Sequence, residues 1–477
     1  MKMRRSVIPV VAAVLASFCV SCGLVNITDL TENSAVRGSE DCPGSEAEEY
    51  DFREYETIVS EFLSPGSPLP SLDLKGDVFT VVSGTVRAGD PEDLSDVISR
   101  AEFLAYRQAE NMTGSKIVCS YEEPDRMAEE LTARKKTGLP YSDLVIVPGD
   151  RALALAASGL LADITEYLPG QDYGCLYPSS AEAVTGNGSV YAVSGSALVK
   201  PRDIPAVFLN CGLVSKDPAE ISDMVRNRLW TWDELIALLE ETERGTYATP
   251  FGREYIYSLA FISSGNSYIT VTGDGVPGIG FSGESAGYAV GVIRKLYKAK
   301  QYGSSTSSFY SSKTGVMIDR LSALEDGDMY GLSWAVAPMP LASEGAEYRT
   351  LMERSSPVFA VPSFGCGAEV SCGVMVDLCA AFRGTVYGKY LDMVLSDYAL
   401  ECGAVDCIEL VIKSPVFDFA EVNGENIPEA ADATYRLIGE SVWTDSWHKK
   451  LNELTDRAVA AIADGLRPTP PEADESE

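Results

Sequence analysis

The chain has 477 residues, 45% of them hydrophobic and 23% charged, with 38 Lys and Arg against 70 Asp and Glu. A formal charge of −32 excludes a protein that wraps nucleic acid electrostatically, because phosphate binding needs clustered cations. A mean hydropathy of +0.00 with one long apolar stretch excludes a polytopic membrane protein, and the apolar share suffices for a two-lobed unit or two to three domains.

Met1–Cys22 reads MKMRRSVIPVVAAVLASFCVSC, with Lys2, Arg4 and Arg5 ahead of an apolar run from Val7 to Val20. That run is too short to cross a bilayer comfortably and reads as a signal peptide. Ser21-Cys22-Gly23 resembles a bacterial lipobox, in which the cysteine receives lipid and becomes the mature N-terminus. Cys19 stands where such motifs usually carry Leu, and cleavage without lipid is the alternative. Loss of the signal leaves 35 basic and 70 acidic residues. Nine cysteines follow Cys22, an odd number that cannot pair completely, and none forms a C-x-x-C. Most read as free core thiols, with Cys366–Cys372 and Cys402–Cys407 left open as pairings.

Residues 23–74 are acidic and Ser/Gly-rich, end in SPGSPLP, and read as a flexible tether. An α/β rhythm then begins. Val78–Val82 is an apolar strand run, and Leu94, Val97, Ile98, Ala101 and Leu104 recur at helical spacing. Lys116–Ser120 is a second strand, Pro124–Lys136 a second helix, and Leu144–Val147 a third strand closed by Pro148-Gly149-Asp150. This alternation predicts parallel pairing in a doubly wound sheet, with ligands beyond the strand ends after Val82, Ser120 and Val147. Thr231 caps a helix over WDELIALLEE; Ala289, Val292, Ile293 and Leu296 outline another. Trp447, Leu451, Leu454, Ala458 and Ile462 mark an amphipathic helix, and residues 466–477 read as a disordered acidic tail.

Motifs for catalysis are weak. Gly273, Gly275 and Gly278 fit G-x-G-x-x-G, but Pro277 argues for a hairpin or loop rather than the helix a pyrophosphate needs. Lys313-Thr314-Gly315 and Ser446-x-x-Lys449 are similar to elements of penicillin-recognising enzymes, yet stand in reversed order without Ser-Asp-Asn between them. His448 is the single histidine, which leaves His-based zinc sites and Ser-His-Asp machinery without parts. Among 70 acids, a carboxylate pair for glycoside hydrolysis is not distinguished by sequence.

Several segments, in order, resemble one family. SDLVIVPGDRALALAASGLLADITEYL (142–168), SVYAVSGSALVKPRDIPAVFLNCGL (189–213), TWDEL (231–235), KTGVMID (313–319) and WAVAPMP (334–340) are similar to blocks of extracellular solute-binding lipoproteins of bacterial ABC importers, in the carbohydrate-binding, maltose-binding-protein-like group. Ser194 replaces that family's usual Pro and Cys211 its usual Lys, while Asn210 is retained. The resemblance covers roughly 78–465. It implies an α/β, periplasmic-binding-protein-like fold: lobe one over 75–196 plus about 355–400, lobe two over 200–350 plus about 405–465, joined by crossing hinge segments around a cleft. It further implies a monomeric, lipid-anchored extracellular receptor that closes on a carbohydrate, an oligosaccharide by expectation, and hands it to ABC permease subunits. No cofactor, metal or nucleic acid is expected. An exported carbohydrate-active enzyme, or a sensory or adhesive lipoprotein on the same scaffold, is the alternative.

Candidate contacts follow from aromatic faces and hydrogen-bonding groups that suit sugars. Asp150 and Arg151 end the third strand, where Asp150 alternatively caps the next helix. Ser194 and Gly195 lie in the crossing block, alternatively as a turn. Phe251, Arg253 and Tyr255 combine two aromatics with a guanidinium, alternatively a helix start with Phe251 in the core. Asp319 and Arg320 follow KTGVMI, alternatively as a surface ion pair, and Leu321-Ser322-Ala323 stands where the family often has Trp. Asp418 and Trp443 complete the set. Trp232 and Trp334 are expected in the core, and His448 on a solvated helix face.

Overall fold

A computed structural model describes residues 72–423, apart from 86–87, 90, 92–93, 169–173, 187, 243–245, 272–276, 282, 300–305, 327–328, 330, 366 and 395–402. All of these fall within the contact unit Phe52–Glu477. The expected signal, Cys22, the tether, Trp443, His448, the helix over 447–462 and the acidic tail lie outside the described residues.

The chain opens with β1 (Val78–Ser83), α1 (Val97–Thr113), β2 (Lys116–Tyr121), α2 (Pro124–Thr137), β3 (Leu144–Pro148) and α3 (Gly149–Ala157). Local chemistry explains these boundaries. Asp96 caps α1 by accepting from the Ser99 amide, Pro124 opens α2, and Gly114 and Gly138 end the two helices in the left-handed region. β1 pairs parallel with β2 and with β3, as the alternation predicts. Next come β4 (Leu176–Tyr177), α4 (Pro178–Ala183), β5 (Thr185–Gly186), β6 (Ser189–Val190) and β7 (Ala192–Gly195).

The chain then crosses to a second sheet through residues 196–204. There follow β8 (Pro205–Asn210), α5 (Pro218–Arg226), α6 (Trp232–Glu241), β9 (Tyr247–Ala248), α7 (Arg253–Ser263), β10 (Ile269–Val271), β11 (Pro277–Ile279) and α8 (Gly283–Ala299). Thr231 caps α6 as expected, accepting from the Glu234 amide. β10 and β11 pair antiparallel, so Pro277 and Gly278 lie in a strand and not at the start of a phosphate-binding helix. α9 (Ser307–Tyr310), β12 (Val316–Arg320), α10 (Ala323–Asp326), β13 (Trp334–Ala337) and β14 (Thr350–Leu351) complete that side. β15 (Pro357–Ala360) returns to the first sheet, followed by α11 (Ala368–Phe382), α12 (Gly388–Met393), α13 (Gly403–Lys413), β16 (Pro415–Val416) and α14 (Phe419–Val422).

Two sheets result, in the orders β2-β1-β3-β15-β7-β4 and β13-β8-β12-β9. The first is mixed rather than wholly parallel. β15 arrives from the opposite sheet, so it runs against both β3 and β7. The interior strands read as unbroken apolar runs because both faces are covered: every residue of β8 and the first four of β3 are buried. Ala368–Met393 is long and apolar enough to span a bilayer, but is mostly buried as a core helix, with Tyr106 of α1 meeting Phe382 edge-on at 5.2 Å. Cys372 and Cys407 are free thiols, so the Cys366–Cys372 and Cys402–Cys407 pairings do not form. Trp232 is fully buried, whereas Trp334 is half-buried because it opens β13 at the sheet's end.

The crossing segment is pinned to the first sheet's helices. Ser196 Oγ donates to the Cys379 carbonyl at 2.6 Å, Tyr387 Oη to that of Val199 at 2.6 Å, and Lys200 pairs with Glu102 of α1 at 2.6 Å. The second passage, 352–356, leans on the β3–α3 turn: the Gly149 amide donates to the Ser356 carbonyl. A Cβ at Gly149 would stand 3.0 Å from the carbonyls of Arg354 and Ser356, so a side chain there would press on the second passage and glycine lets the two segments approach closely.

Candidate functional site

The richest convergence of candidate residues forms where β12, the start of α7 and the β14–β15 passage meet. β12 ends at Arg320, whose Nη2 donates to Glu353 Oε1 at 2.7 Å. Its guanidinium carbon lies 4.9 Å from the centroid of the Phe251 ring. Phe251 itself is 5% exposed and meets Tyr255 edge-on at 5.1 Å. Phe251 precedes the Gly252 cap of α7 and folds back so that its ring meets that of Tyr255 in the first turn. Tyr255 Oη donates to the Leu351 carbonyl in β14 at 2.6 Å, fixing the helix to the strand that leads to Glu353. The result is two aromatic rings and a planar cation held at one edge by a carboxylate. Asp319 folds back locally, its Oδ1 accepting from the Arg320 amide at 2.7 Å.

A second group adjoins it along the same elements. Asp418 is buried and caps α14: Oδ1 accepts from the amides of Ala420 and Glu421, while Oδ2 accepts from the Tyr268 amide at 2.8 Å. Glu421 is also buried and accepts from Ser258 Oγ of α7 at 2.7 Å, and Ser258 Oγ lies 3.1 Å from Tyr268 Oη. Burial, then the neighbouring Glu421, push Asp418 up from 3.8 to about 7, against the pull of its three amide donors. Arg349, just before β14, donates from Nη2 to Ser267 Oγ at 3.1 Å.

The other candidates stand elsewhere. Asp150 and Arg151 occupy the first turn of α3. Asp150 is buried there without capping that helix, and half-buried Arg151 pairs with exposed Asp125 of α2. Ser194 is fully buried within its sheet, donating from Oγ to the Pro357 carbonyl at 2.9 Å and from its amide to Ser180 Oγ at 2.7 Å. Gly195 is enclosed: a Cβ there would lie 2.6 Å from Cys379 Sγ and 2.7 Å from the Cys175 carbonyl. Arg253 opens α7 but turns to α8, its guanidinium carbon 5.4 Å from the Tyr297 ring. Sequence reasoning singled out Phe251, Tyr255 and Arg320, which the structure groups together, and Asp418, which lies in the adjoining cluster. It missed Glu353, Arg349 and Glu421, which sit 33, 94 and 163 residues from Arg320, Tyr255 and Ser258; no local pattern ties such distant residues together. Among the described residues no group of three or more His, Cys, Asp or Glu side chains is placed to hold a metal ion.

Comparison with known proteins agrees with this architecture. Residues 105–338 match the family model described as bacterial extracellular solute-binding protein. A crystal structure of a cyclo/maltodextrin-binding protein complexed with maltotetraose aligns with a TM-score of 0.51 at 16% identity, covering 85% of this chain and 99% of that one. At that identity the likeness establishes the fold, a mixed α/β periplasmic-binding-protein-like one. No curated protein sequence matches the chain.

Proposed function

Over residues 105–338 the chain belongs to the bacterial extracellular solute-binding proteins, a family of binders rather than enzymes, and we propose that its solute is a carbohydrate, taken as an oligosaccharide. One observation carries this reading. Tyr255, Arg320 and Glu353 place a half-buried aromatic ring beside a paired guanidinium and carboxylate, with buried Phe251 backing the guanidinium, at the passage that leads from the second sheet to the first. Sugars present apolar C–H faces ringed by hydroxyls, and this combination addresses both. The protein solved with maltotetraose lends the fold precedent for such a ligand.

In this reading the first sheet with its helices is lobe one, the second is lobe two, and closure between them traps the ligand without turnover. Asp150, Arg151, Arg253, Asp319 and Trp443 remain proposed contacts around this group, whereas Ser194 and Gly195 are enclosed in the first sheet and Asp418 is committed to backbone amides, so these three support the site from behind. Delivery is to the permease subunits of an ABC importer, from an anchor of lipid on Cys22. The test is a thermal-shift screen of the purified protein against neutral and acidic oligosaccharides, peptides and polyamines. A sugar that binds the native state raises Tm with concentration, by about 2.7 kcal/mol of added stability at one hundred times Kd. A shift produced only by peptides or polyamines replaces the substrate class.

A further inference from the structure

Arg349 carries unused binding capacity. A guanidinium has five N–H donors in a rigid planar fork. Here one of them meets a partner, Ser267 Oγ at 3.1 Å, although the side chain is half-buried. Among the described residues no carboxylate comes within ion-pairing distance of it. Yet Asp418, Glu182 and Glu347 all bear on it electrostatically, and burial works against its charge. Taking a cation out of water without pairing it is costly, and such a site is completed by whatever supplies the missing acceptors.

Its position gives that acceptor a route. Arg349 lies two residues before Leu351, which holds Tyr255, and four before Glu353, which holds Arg320. Glu182 comes from α4, which follows β4 of the first sheet, whereas Ser267 leads into β10 on the other side. Groups from both sides thus approach one guanidinium without closing on it. A fork of this shape fits either a carboxylate or a pair of adjacent hydroxyls. The surroundings decide between them. Asp418, Glu182 and Glu347 already supply negative charge, and a chain of −32 repels anions at longer range, whereas hydroxyls accept from Arg349 and donate to Glu182.

We propose that Arg349 is a ligand-contacting donor that, together with Glu182, grips adjacent hydroxyls of a neutral saccharide and disfavours acidic ones. This rests on the carbohydrate reading above and narrows its substrate class. The experiment is titration calorimetry of the full chain with neutral maltooligosaccharides and xylo-oligosaccharides and with oligogalacturonates. It compares wild type, Arg349→Gln, Arg349→Lys and the control Arg226→Gln, whose guanidinium bridges Asp223 and Asp406 on the surface. A neutral oligosaccharide should bind the wild type, and Arg349→Gln should weaken it about 10- to 100-fold. Arg349→Lys, which keeps the charge and loses the fork, should recover part of that loss, and Arg226→Gln should bind as wild type does. Modification of the wild type by phenylglyoxal gives a readout that needs no variant to fold: the bound sugar should protect Arg349. Neutral-sugar binding that is indifferent to Arg349→Gln, with no protection of Arg349, overturns this inference and leaves the carbohydrate reading standing. A preference for oligogalacturonate overturns the neutral class. A wild type that binds no saccharide overturns both.

Discussion

Arg320 shows how little an ion pair tells by itself. Its side chain and that of Glu353 are 34% and 43% exposed, so their attraction is screened and contributes about 0–1 kcal/mol to folding. The Phe251 face beneath adds about as much again. Neither sum explains the arrangement as a stability device, which favours a binding role for the residue. Asp418 is the opposite case, a fully enclosed carboxylate whose every feature bears on folding. Since its folded pKa stands near 7 against an ordinary 3.8, the folded state holds the proton more tightly. Its contribution to stability is therefore fully present below about pH 4 and is lost as pH rises through about 7. Asp418→Asn should remove that component, so the loss in urea midpoint between pH 5 and pH 8 should be smaller than in wild type. The variant should also be less stable at both values by about 1–3 kcal/mol, because an amide has one oxygen to offer and its NH2 must face an N–H donor. An unchanged pH slope would mean that Asp418 is already ionised across this range.

At the scale of elements, what could be read from sequence is what local chemistry determines. The Asp96, Thr231 and Pro124 helix starts and the apolar run of β3 all follow from neighbours within a few residues. The insertion of β15 between β3 and β7 does not, because nothing within Pro357–Ala360 specifies partners 166 to 215 residues earlier or their direction. The same holds at the site: the pattern Phe251-Gly252-Arg253-Glu254-Tyr255 announces polar and aromatic groups, but the helix turns Arg253 to Tyr297 and leaves Phe251 against Arg320. Two substitutions separate local from long-range determinants. Thr231→Ala removes one cap and should cost about 1 kcal/mol in urea unfolding. Gly195→Ala should cost more, about 1–3 kcal/mol or beyond. Its Cβ meets a backbone carbonyl and a buried sulfur on two sides, and neither can withdraw without moving β4 or α11. Equal costs would show that the packing around β7 is looser than these distances allow.

For the whole molecule, charge constrains how the protein could be held at a membrane, as proposed above. A chain of −32 has no basic surplus with which to grip anionic headgroups, and a bilayer of negative surface potential repels it. Attachment through charge would in any case weaken as salt shortens the screening length from about 30 Å at 0.01 M to about 3 Å at 1 M. Attachment through acyl chains has the opposite behaviour, because screening relieves the repulsion and leaves burial of the chains untouched. The two mechanisms therefore predict different fractionation. If Cys22 bears lipid, the protein expressed in a bacterial host should stay with membranes through a 1 M NaCl wash and leave with detergent, while Cys22→Ser should appear in the soluble exported fraction at any salt. Release of the wild type by salt alone would point to a protein partner as the tether. Retention of Cys22→Ser through the same wash would point to an uncleaved Val7–Val20 segment acting as the anchor.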